Sequence, residues 1–451
     1  MLLAYDRALR GATALAVIAA GLAAASQADA AAFYLQEQSV KANGRAWSGE
    51  AAERGAQQQW WNPAAIGGIT GFQAYGGVTA LYPRARSSNV NTRVVRPTLA
   101  LPTGQVVPGS NSAVGGNQTF SNPVNDGYLP NGGFAFPITD KLAAGLTVTS
   151  PYSFTTNYDS DSWARYSADK TRLRTYDIQP GLAFSPAPSI SLGAAVNVEY
   201  VRATLSNYLP DPISAAFPDG HQYLKGDGWD VGYSFGFQFH NEKVDLGASY
   251  KSAIKHKLKG TLIVDGLADP ITLAAGVNRT IDPARAQFTT PWQVNVGARY
   301  HIVPSFTVNA QVTRFGWEKF DQITLAAPVN AALPENYRSR YAYSLGFDWD
   351  VTPRWTLRGG VQRDLSPIAD GERDPRVPDG NRWTFAGGTS YQLTQHLGLD
   401  ASVNYTKIAS NPIDKATAAY AGTPLQTLIL TSGQLYKAHA LVFGLGGHMT
   451  F

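Results

Sequence analysis

From about Gly71 to the C-terminus the sequence alternates apolar and polar residues, segment after segment. Trp292, Val294, Val296, Ala298 and Tyr300 alternate with Gln293, Asn295, Gly297 and Arg299, and Phe306, Val308, Ala310 and Val312 alternate with Thr307, Asn309, Gln311 and Thr313. The pattern recurs over residues 190–200, 229–239, 341–349, 383–391 and 397–405. A period of two gives each strand one apolar and one polar face. The chain is therefore all-β, and the choice lies between a soluble sandwich and a membrane barrel.

Aromatic placement favours the barrel. Trp229 and Phe239, Trp292 and Tyr300, and Trp383 and Tyr391 take the two ends of their apolar faces, as two membrane interfaces select. The opposite faces carry Asn, Gln, Thr, Ser, Gly and a few Arg, which suits a wet or plugged lumen better than a dry core. The 44 Gly, 27 Pro and 11% aromatic residues fit many turns and aromatic girdles. Outside the first thirty residues no run approaches the ~20 apolar residues of a spanning helix. With no Cys, a disulfide, a thiolate nucleophile and a Cys-ligated metal are excluded. A net charge of +4 from scattered Lys and Arg gives no stripe for nucleic acid.

Connections alternate in length. Short, turn-rich links fall at 138–141, 185–188, 240–243, 301–304, 350–353 and 393–396, and longer ones at 83–126, 150–170, 204–226, 265–286, 318–337, 365–380 and 409–435. Six short turns and seven long loops predict about 14 antiparallel strands, with both ends on the short-turn, periplasmic side of a bacterial outer membrane. The last strand places Leu441, Phe443, Leu445, Gly447, Met449 and Phe451 on one face. A terminal Phe resembles the signal read by the outer-membrane assembly machinery, so that machinery and the outer-membrane lipids are expected partners.

Residues 1–30 have Arg7 and Arg10, a small apolar run over 11–25 and Ala28-Asp29-Ala30, the layout of a cleaved signal peptide. The expected organisation is a signal peptide over 1–30, an N-terminal hatch over 31–70 and a transmembrane barrel over 71–451. The hatch follows from size: about eight strands already suffice for a side-chain core, so fourteen enclose a lumen that something must plug. Residues 31–66 lack strand periodicity and precede the first strand. A structureless periplasmic tail is the alternative.

Ala31-Ala32-Phe33-Tyr34-Leu35, Gly44-Arg45-Ala46, Gly49-Glu50-Ala51-Ala52 and Asn62-Pro63-Ala64 resemble the N-terminal hatch of the FadL family of long-chain fatty acid and hydrocarbon transporters. Ser150-Pro151-Tyr152, Trp163-Ala164-Arg165-Tyr166 and Pro378-Asp379-Gly380-Asn381-Arg382-Trp383 resemble further segments of that family. The resemblance covers essentially the whole mature chain. It implies passive transport of a hydrophobic ligand, a long-chain fatty acid or alternatively an aromatic or alkane hydrocarbon. The ligand would be caught among the outer loops, pass to a pocket at the hatch N-terminus and leave sideways through a gap at a kink in the third strand. No cofactor and no energy source are implied, since an apolar solute gains ~0.8 kcal/mol per CH₂ on leaving water.

By the same resemblance Phe33 occupies or gates the inner pocket, and Asn62, Pro63 and Ala64 pack by the strand-three kink. Gly145, in the middle of that strand, is the candidate kink residue, because a strand Gly often marks a bend. Candidate carboxylate contacts are Arg202, which by parity lies on the lipid side with Tyr200, and Arg299 and Arg358, which have inward parity. Gly232-Tyr233-Ser234-Phe235-Gly236 matches a nucleophile pattern, but it sits mid-strand, whereas that chemistry needs a strand-to-helix elbow. The seven His lack metal-ligand spacing. The expectation is a transporter without catalytic residues or metal; a general diffusion porin and an outer-membrane lipid hydrolase are the rival classes.

Overall fold

The computed structural model describes residues 32–100 and 105–451. The expected signal peptide and Ala31 lie outside the described residues. Fourteen antiparallel strands close into a barrel. They are β1 (Gln73–Asn89), β2 (Gly127–Pro137), β3 (Leu142–Thr149 and Ser153–Asn157), β4 (Lys170–Ala187) and β5 (Ile190–Leu209). Next come β6 (Gly220–His240), β7 (Val244–Lys251 and Ile254–Asp265), β8 (Arg279–Thr290 and Trp292–Val303) and β9 (Phe306–Gly316). The wall ends with β10 (Arg340–Thr352), β11 (Trp355–Asp364), β12 (Arg382–Gln392), β13 (Leu397–Ile408 and Asn411–Ala419) and β14 (Thr427–Thr450). β14 pairs back on β1 from Gln73↔Thr450 to Asn89↔Gly433, so the sheet closes on itself. Closure is what a spanning sheet requires, because lipid offers no partner to an unpaired backbone group.

Burial is inverted relative to a soluble protein. Trp229, Val231, Tyr233 and Phe235 of β6 are 50–64% exposed, whereas Ser234 and Gln238 on the same strand are at most 2% exposed. The apolar face thus points outward to lipid and the polar face inward, as the alternation predicts. Short turns close tightly, with Ile138 N donating to Leu142 O at 2.7 Å and Asn241 N to Val244 O at 3.0 Å. Several loops are shorter than the pattern suggested, those expected at 150–170 and 265–286 among them. β5 and β6 pair as far as Leu209↔Gly220, and β13 and β14 as far as Ala419↔Thr427. Above the membrane a hairpin continues on its backbone hydrogen bonds alone, so its residues no longer need to alternate.

Residues 32–66 fill the lumen. They contain one helical turn, Val40–Asn43, and two 3-10 turns, Ala56–Gln58 and Pro63–Ile66, and most of their side chains are buried. Asn62 caps the last turn, its side-chain oxygen accepting from Ala64 N at 3.0 Å with Pro63 at the first position. Asn62 Nδ2 also donates to Ala51 O at 2.6 Å and to Phe237 O at 3.1 Å, which joins two parts of the hatch to β6.

Candidate functional site

An apolar cavity lies between the N-terminal end of the hatch and the outer loops. It holds about 850 Å³, counting its opening. Inward residues of β4 to β8, among them Leu173, Leu205, Leu224, Leu258 and Phe288, form one wall, and Phe33 of the hatch forms the floor. Phe33 is 2% exposed. Its ring lies edge-on to Trp317 and Phe320, each at 4.9 Å between centroids, and stacks on Phe154 at 5.8 Å. Edge-to-face and offset rings are the favourable arrangements.

Trp317, Phe320 and Tyr337 come from the segment after β9, where the alternation predicts a long outer loop over 318–337. That segment folds into the lumen and buries them. The signal was present in the sequence: Trp317, Phe320, Ile323 and Leu325 are too apolar for a free loop. At the loop side the cavity meets Glu335, Asp374 and Arg376. Burial pushes the Glu335 carboxyl up to about 7, although Lys415 stands 3.1 Å away. Arg376 Nη2 donates to Asn207 Oδ1 at 3.2 Å, and its Nε lies 3.6 Å from Asp374.

The residues just after Phe33 touch a break in the wall. β2 and β3 pair only from Pro137↔Ala143 to Gly132↔Val148. They meet again at Val124↔Thr156. Between these points no backbone hydrogen bond joins residues 126–131 to 149–154 among the described residues. β3 is interrupted there at 150–152. The hatch supplies the missing partners: Leu35 N donates to Pro151 O at 2.7 Å, Gln38 Nε2 to Ser150 O at 3.1 Å, and Ser150 N to Gln38 Oε1 at 3.0 Å. Tyr34 and Tyr152 form an antiparallel bridge. Asn131 Nδ2 and Thr149 Oγ1, buried at the edges of the break, have no hydrogen-bond partner among the described residues.

Several expected positions are corrected. Gly145 is not the kink: it pairs with Ala135 on one side and Gly181 on the other in unbroken ladders. It is small because Gln59 of the hatch lies where a Cβ would be. The break in the strand is six residues on, where Pro151 cannot donate to a ladder. Asn62, Pro63 and Ala64 do not lie by that kink. They seat on β5 and β6, where a Cβ on Gly193 would overlap Pro63 and Ala64 and one on Gly236 would overlap Asn62. Of the three arginine candidates none lines the cavity. Arg202 points outward and is exposed.

Arg299 and Arg358 instead belong to a buried ionic cluster under the hatch. Asp348 accepts from Arg358 Nε at 2.7 Å, Arg299 Nη1 at 3.1 Å and Arg45 Nη1 at 2.9 Å. Arg45, with no exposed surface, also pairs with Glu50 at 2.7 Å and with Glu53, and Lys41 reaches Glu53 at 2.7 Å. Charge therefore fastens the middle of the hatch to β8, β10 and β11. Ser234 of the nucleophile-like motif donates to Asn197 Oδ1 at 2.6 Å on an adjacent strand, within an unbroken ladder.

Residues 21–451 match the family described as "Outer membrane protein transport protein (OMPP1/FadL/TodX)". The long-chain fatty acid transport protein of Escherichia coli K12 is 25% identical over 424 residues, covering 84% of this chain and 88% of that one. Among solved structures, a Pseudomonas aeruginosa FadL homologue superposes with a TM-score of 0.79 at 22% identity, covering 93% of this chain and all of that one. The Pseudomonas putida toluene transporter TodX gives a TM-score of 0.62 at 14% identity over 94% and 99% of the two chains. At such identities the two structures speak to the fold.

Proposed function

This chain belongs to the OMPP1/FadL/TodX family, whose members carry hydrophobic compounds across the bacterial outer membrane, and from that premise we propose that its cargo is a long-chain fatty acid. An acyl chain would lie in the cavity with its tail on Phe33 and its carboxyl group at the loop side, near Arg376 and Lys415. Arg202, Arg299 and Arg358 have no part in that contact. The observation that carries the reading is the continuity of the segment: Phe33 floors the cavity, and residues 34–38 pair with the broken third strand.

A ligand that displaces Phe33 pulls on Leu35 and Gln38, and the backbone groups of 150–152 then lose their partners. The seam between β2 and β3 opens, and the ligand leaves sideways into lipid. Asn62, Pro63, Ala64 and Gly145 act as seats that keep the rest of the hatch still. The hatch takes residues 31–70 and the barrel 71–451, after removal of a signal peptide at 1–30. The aromatic ring cluster around Phe33 favours a second reading, in which the cargo is an aromatic hydrocarbon.

The test is uptake of labelled long-chain fatty acid and of labelled alkylbenzene by cells that lack their own transporter. Fatty acid should accumulate faster than in empty-vector cells, with alkylbenzene as the losing competitor. Equal passage of hydrophilic solutes would sink the reading in favour of a porin, and ester hydrolysis lost in Ser234→Ala would favour a hydrolase.

A further inference from the structure

The outward-facing arginine that took no part in the cavity belongs to a larger arrangement. In the strand registers Arg174 of β4 stands opposite Arg202 of β5, Arg202 opposite Asp227 of β6, Asp227 opposite Lys259 of β7, and Lys259 opposite Arg285 of β8. These five residues form one row across five strands, all on the outer face. At ~4.8 Å per strand the row spans roughly 19 Å. Arg172 and Lys225 flank it on the loop side, and Lys257 lies two residues before Lys259 on the same face.

The row has a fixed height. The next outward residues toward the membrane are Tyr176, Tyr200 and Trp229, in register on β4, β5 and β6, and the Tyr200 and Trp229 rings lie 5.1 Å apart. Below them the outward residues are apolar, including Val198 and Val231. An aromatic girdle marks the headgroup level, so the cations sit at the phosphates of the outer leaflet. None of these cations has an ion pair with the protein among the described residues. Asp227, the single acid in the row, stands between Arg202 and Lys259 and leaves the row with four cations to one carboxylate. Elsewhere on the wall girdle rings separate the outer cations: Arg314 is 5.5 Å from Trp292, and Arg363, 5.1 Å from Trp383, is divided by that residue from Lys407 in the register. Unpaired cations gathered on one flat face repel one another unless an anion lies among them.

We propose that the outer face of β4 to β8 binds the phosphate groups of an anionic lipid of the outer leaflet, one that carries more than one phosphate. The length of the row exceeds what a single phosphate reaches, and the girdle beneath it receives the acyl chains. The inner face of the same five strands is the apolar wall of the cavity, so such a lipid would stiffen that wall from outside.

The experiment is native mass spectrometry of the full chain in detergent, titrated with a bisphosphorylated acylated glucosamine disaccharide. The triple variant Arg174→Gln, Arg202→Gln, Lys259→Gln should bind it roughly tenfold or more weakly. The triple variant Arg314→Gln, Arg363→Gln, Lys407→Gln should bind as the parent does. The charge-keeping variant Arg174→Lys, Arg202→Lys, Lys259→Arg should retain binding, which separates loss of charge from misfolding. The dephosphorylated disaccharide should bind weakly, and inorganic phosphate should not displace the lipid. Undiminished binding in the first triple variant, equal loss in the second, equal affinity for the dephosphorylated lipid, or displacement by inorganic phosphate would each overturn the proposal.

Discussion

Between residues 41 and 53 the hatch is tied to the wall by buried charge, whereas residues 33–38 are held by ring packing and a few hydrogen bonds to a broken strand. The two attachments differ in what can replace them. An apolar ligand can take over the contacts of Phe33, because one hydrocarbon surface serves nearly as well as another. No hydrophobic ligand can take over Arg45, whose removal would leave the buried Glu50 without its cation and take one partner each from Glu53 and Asp348. A plug built this way gives at one end and stays fixed at the other.

The largest way to break this contrast is Arg45→Met. Breaking a buried pair costs about 3–5 kcal/mol, enough to free the middle of the hatch. Ion conductance in planar bilayers should rise well above the parent level, while the barrel still shows its heat-modifiable mobility on gels. Phe33→Ala should do the opposite: the loss of a buried aromatic, about 3–5 kcal/mol at a closed site, is offset here because the cavity is already open. Uptake should fall severalfold and conductance should stay low.

The smallest effect concerns the loop side of the cavity. The folded state raises the Glu335 carboxyl to about 7 through burial, so it binds its proton more tightly folded than unfolded. Its contribution to stability is then full below the unfolded value of ~4.3 and is lost as pH rises toward about 7. Thermal midpoints should drop over that window by a degree or so, and uptake of an uncharged ligand should fall modestly with them. Glu335→Gln should flatten both profiles.

The barrel was legible from the sequence because lipid enforces a period of two on every wall strand, as in 292–300 and 306–313, and the aromatic ends mark both interfaces. Parity also put Arg202 outside, where it lies, and Arg299 and Arg358 inside. Partners were not legible. That Arg299 and Arg358 meet at Asp348 depends on strand register across β8, β10 and β11, and that Gly145 faces Gln59 depends on the path of an aperiodic segment. The break at 150–152 is written in Pro151, which cannot donate to a ladder, whereas Gly145 is small for its contact with the hatch. The inward fold of Trp317 and Phe320 was not legible from alternation, which says nothing of residues outside the wall.

The central claim is that residues 34–38 must leave the broken third strand for cargo to pass. The chain has no Cys, and Tyr34 and Tyr152 are bridge partners, a spacing that suits a disulfide. In cells carrying Tyr34→Cys, Tyr152→Cys, uptake of labelled fatty acid should be largely lost when the pair is oxidised and should return on reduction. Undiminished uptake with the disulfide formed would contradict the account.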